Sequence, residues 1–457
     1  MTSPKRPLAR SIPFVDPARA FEAFADEPAA VLLDSAQASG GRDRWGYIAA
    51  DPFALIEWRL GDPSSNPLAE IAAMLEKFRI RNDPDLPPFQ TGAVGFLGYE
   101  LGTTLERLPQ PQRLGCGLPD LYMGLYDTIA AFDMTEKRAW IIASDIARGG
   151  VDGRMAAMAT RIQAAPAPPA DPGGHSSWHF ETARAKFEAN VAHAIDYIHA
   201  GDIYQANISH RLIAPMPKGL SPLALYRRIR ARNPAPFGAV INCGNDQAVV
   251  SASPERFLRL SADRAIETRP IKGTRPRSPN PAEDAALARE LSRSAKDRAE
   301  NLMIVDLLRN DLSRVAETGS VSVPKLCGLE SFATVHHLVS VIEAQLRAGL
   351  GPVDLLRAAF PGGSITGAPK IRAMEVISEL ECARRGPYCG TIAWIGFDGA
   401  MDSSIVIRTL VIEGGQAVLQ VGGGIVADSD PASEFEETMD KARALMQSLS
   451  LKPGESQ

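Results

Sequence analysis

Three apolar runs follow one another late in the chain, at residues 388–396, 404–412 and 417–421, with tight turns between them and a helix-forming segment at 433–449 closing the series. That succession is what most limits the fold. A doubly wound parallel sheet needs single strands alternating with helices, and no such alternation runs through the 457 residues. The expectation is antiparallel sheet flanked by helices, in the α+β class.

The segments upstream agree. Phe187, Val191, Ala194, Ile195 and Ile198 recur at spacings of three and four, which predicts an amphipathic helix over 181–200 ended by Gly201 and Asp202. A strand is expected at 203–213, a helix at 221–232, strands at 239–241 and 247–251, and helices at 281–292, 294–311 and 353–359. Near the start, 17–24 and 68–78 read as helices and 128–132 and 139–143 as strands. Residues 164–177, AAPAPPADPGGHSS, read as a solvated linker between a region at 1–163 and a larger one at 178–450, with 451–457 as a tail.

Such a chain has the apolar content to bury a core, with 45% hydrophobic and 23% charged residues. Its formal charge of −5 supplies no basic field for nucleic acid. No eighteen apolar residues run together and residues 1–14 lack the apolar stretch of a secretion signal, so neither membrane spanning nor export is expected. Cys116, Cys243, Cys327, Cys382 and Cys389 form no C-x-x-C pair and fit reduced thiols in a cytoplasm.

Two acidic helices stand out. On the last one, Glu434, Glu437 and Lys441 fall within about 60° of arc, while Phe435, Met439, Ala442, Met446 and Leu449 form a separate core stripe. Alone, the polar triplet is a solvated edge with one i,i+4 ion pair. Asp297 and Glu300 open the helix at 294–311, where acids also favour a helix N-terminus for electrostatic reasons. If the helices face each other, Glu300 and Glu437 could hold one Mg²⁺ and leave coordination positions for water and a substrate carboxylate.

Three further segments could meet an anion. Gly422, Gly423 and Gly424 follow a strand and allow close backbone approach, although a bulge would use them equally. Residues 361–370, PGGSITGAPK, form a polar turn with the hydroxyls of Ser364 and Thr366, opening a helix with Pro369 at its first position. Arg408 sits among strand residues, either facing solvent or clamping an anion. Residues 92–102 look like a phosphate loop but lack the lysine, and read as a closely packed strand. Finally, Lys272 lies in RPIKGTRPR at 269–277. Neighbouring Arg269, Arg275 and Arg277 and partial burial would lower its pKa and favour a nucleophilic amine, whereas a basic surface loop would look the same.

Taken in order, these segments resemble the chorismate-utilising enzymes, the family of anthranilate, aminodeoxychorismate, isochorismate and salicylate synthases. The resemblance spans about residues 180 to 449, with fainter similarity in the N-terminal third. Its blocks are GDIYQAN at 201–207, SPERF at 253–257, the run at 269–277, DRAENLMIVDLLRND at 297–311, VHHLVS at 335–340, GSITGAPK at 363–370, Arg408, and 422–441. It implies two antiparallel β-sheets packed as a sandwich with helices outside. It further implies Glu300 and Glu437 as Mg²⁺ ligands with Asp297 and Glu434 nearby. Tyr388, Arg408, Gly422, Gly424 and Lys441 resemble the holders of the substrate carboxylates, with Ser364 in the adjoining turn. His337 resembles the histidine beside the ring, and Glu255 resembles the general acid, a role that asks for a partly buried carboxyl.

Within that family, a water-activating lysine stands where this chain has Gln205, and anthranilate synthases typically carry alanine where it has Lys272. Lysine there resembles the aminodeoxychorismate synthases, in which the amine attacks the ring before ammonia displaces it, a magnesium-dependent, transaminase-class reaction in para-aminobenzoate and folate biosynthesis. No G-x-C-x-G glutaminase motif is present, so ammonia is expected from a separate glutamine amidotransferase subunit. Asp440 departs from the asparagine that relatives often carry. The segment LLDS at 32–35 resembles a tryptophan-binding motif, with Ser35, Arg44, Trp45, Pro236 and Phe237 as its expected lining. The competing expectations are an anthranilate synthase component and a catalytically silent chorismate-binding subunit.

Overall fold

A computed structural model describes residues 4–36, 44–62, 66–111, 113–332 and 335–450. The expected tail at 451–457 lies outside them. Two large sheets, of twelve and ten strands, pack face to face, and every pairing between named strands is antiparallel. Between the sheets lies an apolar layer that includes Val31, Tyr47, Phe96, Tyr122, Ile241, Val249, Trp394 and Val411. Helices Val151–Gln163, Pro222–Arg232 and Pro431–Ser448 cover the outer face of the larger sheet. Helices Pro67–Lys77, Ala295–Ser313 and Pro352–Ala359 cover the smaller one. This is the α+β sandwich expected, with each sheet apolar on both faces. Among the described residues no helix is long and apolar enough to cross a membrane.

Both sheets draw strands from either side of residues 164–177. Val31–Asp34 pairs with Phe237–Gly244 in the larger sheet, and Gly92–Leu97 pairs with Thr391–Gly396 in the smaller. The intervening segment is mostly exposed but tied down. Asp171 accepts from the buried Arg228 Nε at 2.8 Å, and Ser176 Oγ donates to the Pro215 carbonyl at 2.6 Å.

Three local expectations need correction. Residues 404–412 are not one strand: Met401–Ile405 belongs to the smaller sheet and Thr409–Glu413 to the larger. The chain crosses the sandwich between them, and Arg408 sits in that crossing with φ of 53°, the left-handed region, rather than within a strand. An apolar run carries no mark of which sheet each half joins. Likewise the strand expected from 388 begins at Thr391, after Cys389 at φ 62°. Pro369 caps helix Lys370–Leu380 instead of occupying its first turn.

Candidate active site

The two acidic helices do face each other. Ser294 caps Ala295–Ser313 by accepting from the Asp297 N–H at 3.2 Å, and Asp430 caps Pro431–Ser448 by accepting from the Ser433 N–H at 2.9 Å. Lys296 Nζ on the first helix stands 4.0 Å from Glu434 Oε1 on the last. Burial raises the Glu300 carboxyl above its usual range, and the charges of Asp297 and Glu437 add to the effect while Lys272 and Lys296 oppose it. Glu437 is held low by Lys441, whose Nζ lies 2.7 Å from its carboxylate. Glu434 is raised by burial, against a 2.6 Å hydrogen bond donated by Ser429 Oγ.

Among the described residues, no three acidic, histidine or cysteine side chains gather as a preformed metal cage. Asp297 also pairs with Arg275 Nη2, at 3.4 Å, as Glu437 pairs with Lys441. Glu300 and Glu437 come from the two facing helices and bear on each other electrostatically, with Glu434 beside them, so carboxylate oxygens gather here. That set suits a hard cation which takes one or two carboxylates and fills its other positions with water and substrate.

Lys272 enters from the strand Ile271–Pro276 at the margin of the smaller sheet, where its register with Val335–Gln345 slips between Ile271 and Thr274. Its Nζ donates to the Ser364 carbonyl at 3.2 Å. Burial lowers its pKa, Glu300 and Glu255 oppose the shift, and Lys441 adds to it. The neighbouring arginines do not act as the sequence suggested. Arg269 pairs with Glu330 at 2.7 Å, Arg275 with Glu290 at 2.8 Å and Arg277 with Asp284 at 2.7 Å, so their charges are spent on carboxylates.

Glu255 is 6% exposed, and burial pushes its carboxyl up to about 7 against the Ser364 hydroxyl, the Lys272 charge and the Ile271 N–H. A carboxyl that keeps its proton near neutrality can donate it. His337 Nδ1 shares a hydrogen bond with Thr274 Oγ1 at 2.9 Å. Burial and the Arg408 charge hold the ring's pKa down to about 4, so the imidazole is neutral. Arg408 donates to the Lys441 carbonyl at 2.7 Å; burial lowers its pKa to about 10, with Tyr388 and Glu437 opposing. Lys441 Nζ also donates to the Gly422 carbonyl at 3.1 Å.

Gly424 shows why glycine is needed here. A Cβ on it would fall 2.1 Å from Gln205 Nε2 and 3.3 Å from Lys272 Nζ. Gln205, Lys272 and the glycine strand therefore converge, and with them Ser364, Glu255 and the two acidic helices. The buried Gln205 Oε1 has no hydrogen-bond partner among the described residues. Sequence reasoning missed Arg385 and Glu381, a buried ion pair behind Tyr388 with nitrogen and oxygen 2.7 Å apart. The only trace was a basic doublet, Arg384 and Arg385, ahead of Gly386.

A cavity of about 190 Å³ whose lining does not include Lys272 is walled by Ser35, Trp45, Pro236, Phe237, Trp394 and Arg256 among others. Arg44 does not line it. Its guanidinium pairs with Asp133 and stacks 4.8 Å from the Trp45 ring centre.

Residues 29–447 match the family described as chorismate binding enzyme. Aminodeoxychorismate synthase component 1 of Salmonella typhimurium is 42% identical over 436 residues, which cover 92% of this chain and 93% of the relative. Anthranilate synthase component 1 of Streptomyces coelicolor is 40% identical over 448 residues, covering 94% and 86%. The crystal structure of anthranilate synthase component I from Streptococcus pneumoniae superposes with a TM-score of 0.80 at 32% identity, over 88% of this chain and 92% of that one. The menaquinone-specific isochorismate synthase of Escherichia coli shares the fold, with a TM-score of 0.74 at 17% identity over 98% and 96%.

Proposed function

Because this chain belongs to the chorismate-binding enzyme family, we propose that it is the chorismate-aminating component of an aminodeoxychorismate synthase, joining ammonia to chorismate through a covalent bond to Lys272. The observation that carries this reading is the Lys272 amine itself. Burial disfavours its ammonium form, and it stands between an acid poised near neutrality and a pair of facing carboxylates.

In this account Arg408 and Tyr388 hold the enolpyruvyl carboxylate, while Lys441 and the backbone at Gly422 and Gly424 meet the ring carboxylate beside the Ser364 turn. A Mg²⁺ ion held by Glu300 and Glu437 would supply Lewis-acid charge at that ring carboxylate. His337, neutral, packs by the ring without adding charge. The Lys272 nitrogen bonds to ring carbon 2, the ring double bonds shift, and the bond from carbon 4 to oxygen breaks. The Glu255 carboxyl gives its proton to that oxygen, which leaves as water, and its carboxylate takes back the proton shed by the Lys272 nitrogen. Ammonia then bonds to carbon 4, the double bonds return, and the bond from carbon 2 to Lys272 breaks as that nitrogen regains a proton. Chorismate and ammonia give 4-amino-4-deoxychorismate and water, with the enolpyruvyl group retained.

Relatives named component 1 support a multi-subunit arrangement, and a glutamine amidotransferase subunit is the proposed source of ammonia. The separate cavity at Ser35, Trp45, Pro236 and Phe237 is proposed to take tryptophan, on the strength of its aromatic lining. The deciding assay supplies chorismate, ammonium and Mg²⁺ and identifies the product. Aminodeoxychorismate without pyruvate is expected; fluorescent anthranilate with released pyruvate would assign the chain to the other aminating branch.

A further inference from the structure

We propose that Arg385 is a positioning residue for the substrate-carboxylate pocket, setting Tyr388 and the Ser364 turn through a guanidinium set against two phenol rings and tied to two main-chain carbonyls. The inference rests on the reading of chorismate as substrate.

Arg385 is 4% exposed, and a guanidinium so buried is tolerable only if its donors are met. Nε and Nη2 donate to the Glu381 carboxylate at 2.9 and 2.7 Å. Nη1 donates to the Ile365 carbonyl at 3.2 Å, and Nη2 also donates to the Asn207 carbonyl at 2.5 Å. Two phenol rings also lie against the guanidinium, with the Tyr99 ring centre 4.6 Å away and that of Tyr388 5.6 Å away.

Each partner belongs to an element of the pocket. Ile365 follows Ser364, whose carbonyl takes the Lys272 amine. Asn207 is two residues beyond Gln205 and donates its N–H to the Thr366 carbonyl at 2.8 Å. Glu381 accepts from the N–H and the hydroxyl of Ser209 at 2.8 and 2.7 Å, and Ser209 lies opposite Gly422 in the sheet. Glu100 accepts the N–H groups of Arg385 and Gly386 at 2.7 and 2.8 Å, fixing the chain that leads into Tyr388. A buried ion pair adds little net stability over apolar packing of the same volume. One that joins the turn, the glycine strand and Tyr388 has geometry as its product.

The test is steady-state kinetics with chorismate, ammonium and Mg²⁺, together with calorimetric chorismate binding, on the full chain. Arg385→Lys keeps the charge but loses the plane and cannot reach all its acceptors at once. The KM and Kd for chorismate should rise about tenfold while kcat stays within about threefold, because the lost contacts act on bound substrate and transition state alike. An unchanged KM, with kcat falling in step with the folded fraction, would overturn the role. Should Arg385→Lys fail to accumulate, Tyr99→Leu removes one ring while leaving every hydrogen bond of the guanidinium. Its KM should rise about threefold, and an unmoved KM would again overturn the role. The parent separates the two ideas: one inert toward chorismate sinks the functional reading and this role with it, whereas an active parent with unmoved variants sinks the role alone.

Discussion

The ε-amine of Lys272 donates to the main-chain carbonyl of Ser364 at 3.2 Å, across 92 residues of sequence. Lys272 belongs to the smaller sheet, while the Ser364 turn runs into Gly367–Ala368, which pairs at the margin of the larger sheet with Gln205–Pro215. The contact therefore joins the two sheets where acid, amine and carboxylates converge.

The close approach at Gly424 makes a sharp pair of variants. In Gly424→Ala the atoms nearest the new methyl are the ends of Gln205 and Lys272, at 2.1 and 3.3 Å, side chains that can give way more readily than backbone. Its melting temperature should stay near the parent's, while kcat/KM falls at least about tenfold as the amine is displaced. In Gly422→Ala the methyl meets the Ile208 carbonyl at 2.6 Å, a backbone atom, so stability itself should fall by about 1–3 kcal/mol. Thermal melts and kinetics on both variants check the contrast.

Glu255 gives a pH prediction. Burial raises its carboxyl from an ordinary 4.5 to about 7, so the folded chain holds this proton more tightly than the unfolded one. Between those values the folded state loses stability from this group as pH rises, by up to about 3 kcal/mol above pH 7. Glu255→Gln removes that liability. Its denaturant stability relative to the parent should be clearly greater at pH 8 than at pH 4, and the decline in the parent's kcat/KM above about pH 7 should vanish in the variant along with most of the turnover.

The cavity around Ser35 and Trp45 should bind tryptophan without chorismate present. Titration calorimetry on the parent should show one site, weakened at least about tenfold by Trp45→Ala, which removes part of the aromatic lining. Arg44→Ala should leave the affinity nearly unchanged, since Arg44 is spent on Asp133 outside the cavity. Heat signals absent from the parent, or lost in Arg44→Ala alone, would contradict this.

Much of this arrangement was legible in the sequence where one element carried the whole signal. The spacing of Glu434, Glu437 and Lys441 placed them on one helix face, and the helix at Pro431–Ser448 keeps them there. Relationships between elements were not legible. Nothing in residues 404–412 marks the crossing between sheets that turns Arg408 toward Lys441, because both halves are equally apolar. The cause of the Lys272 shift was legible only in part, for a similar reason: burial lowers it as expected, but the arginines do not. Arg269, Arg275 and Arg277 are near in sequence but neutralised by Glu330, Glu290 and Asp284, and burial against distant segments does what they were expected to do. Arg385 escaped altogether, since its partners at Asn207, Ile365 and Glu381 come together only in the folded chain.

The central claim is a covalent bond to Lys272, and intact-protein mass spectrometry after incubation with chorismate and Mg²⁺, with ammonia withheld, tests it most directly. The account predicts an adduct of chorismate less one water, mapping to Lys272 after proteolysis, absent from Lys272→Ala and discharged by added ammonium. An adduct on another residue, or none from a chain that still turns chorismate over once ammonium is supplied, would contradict it.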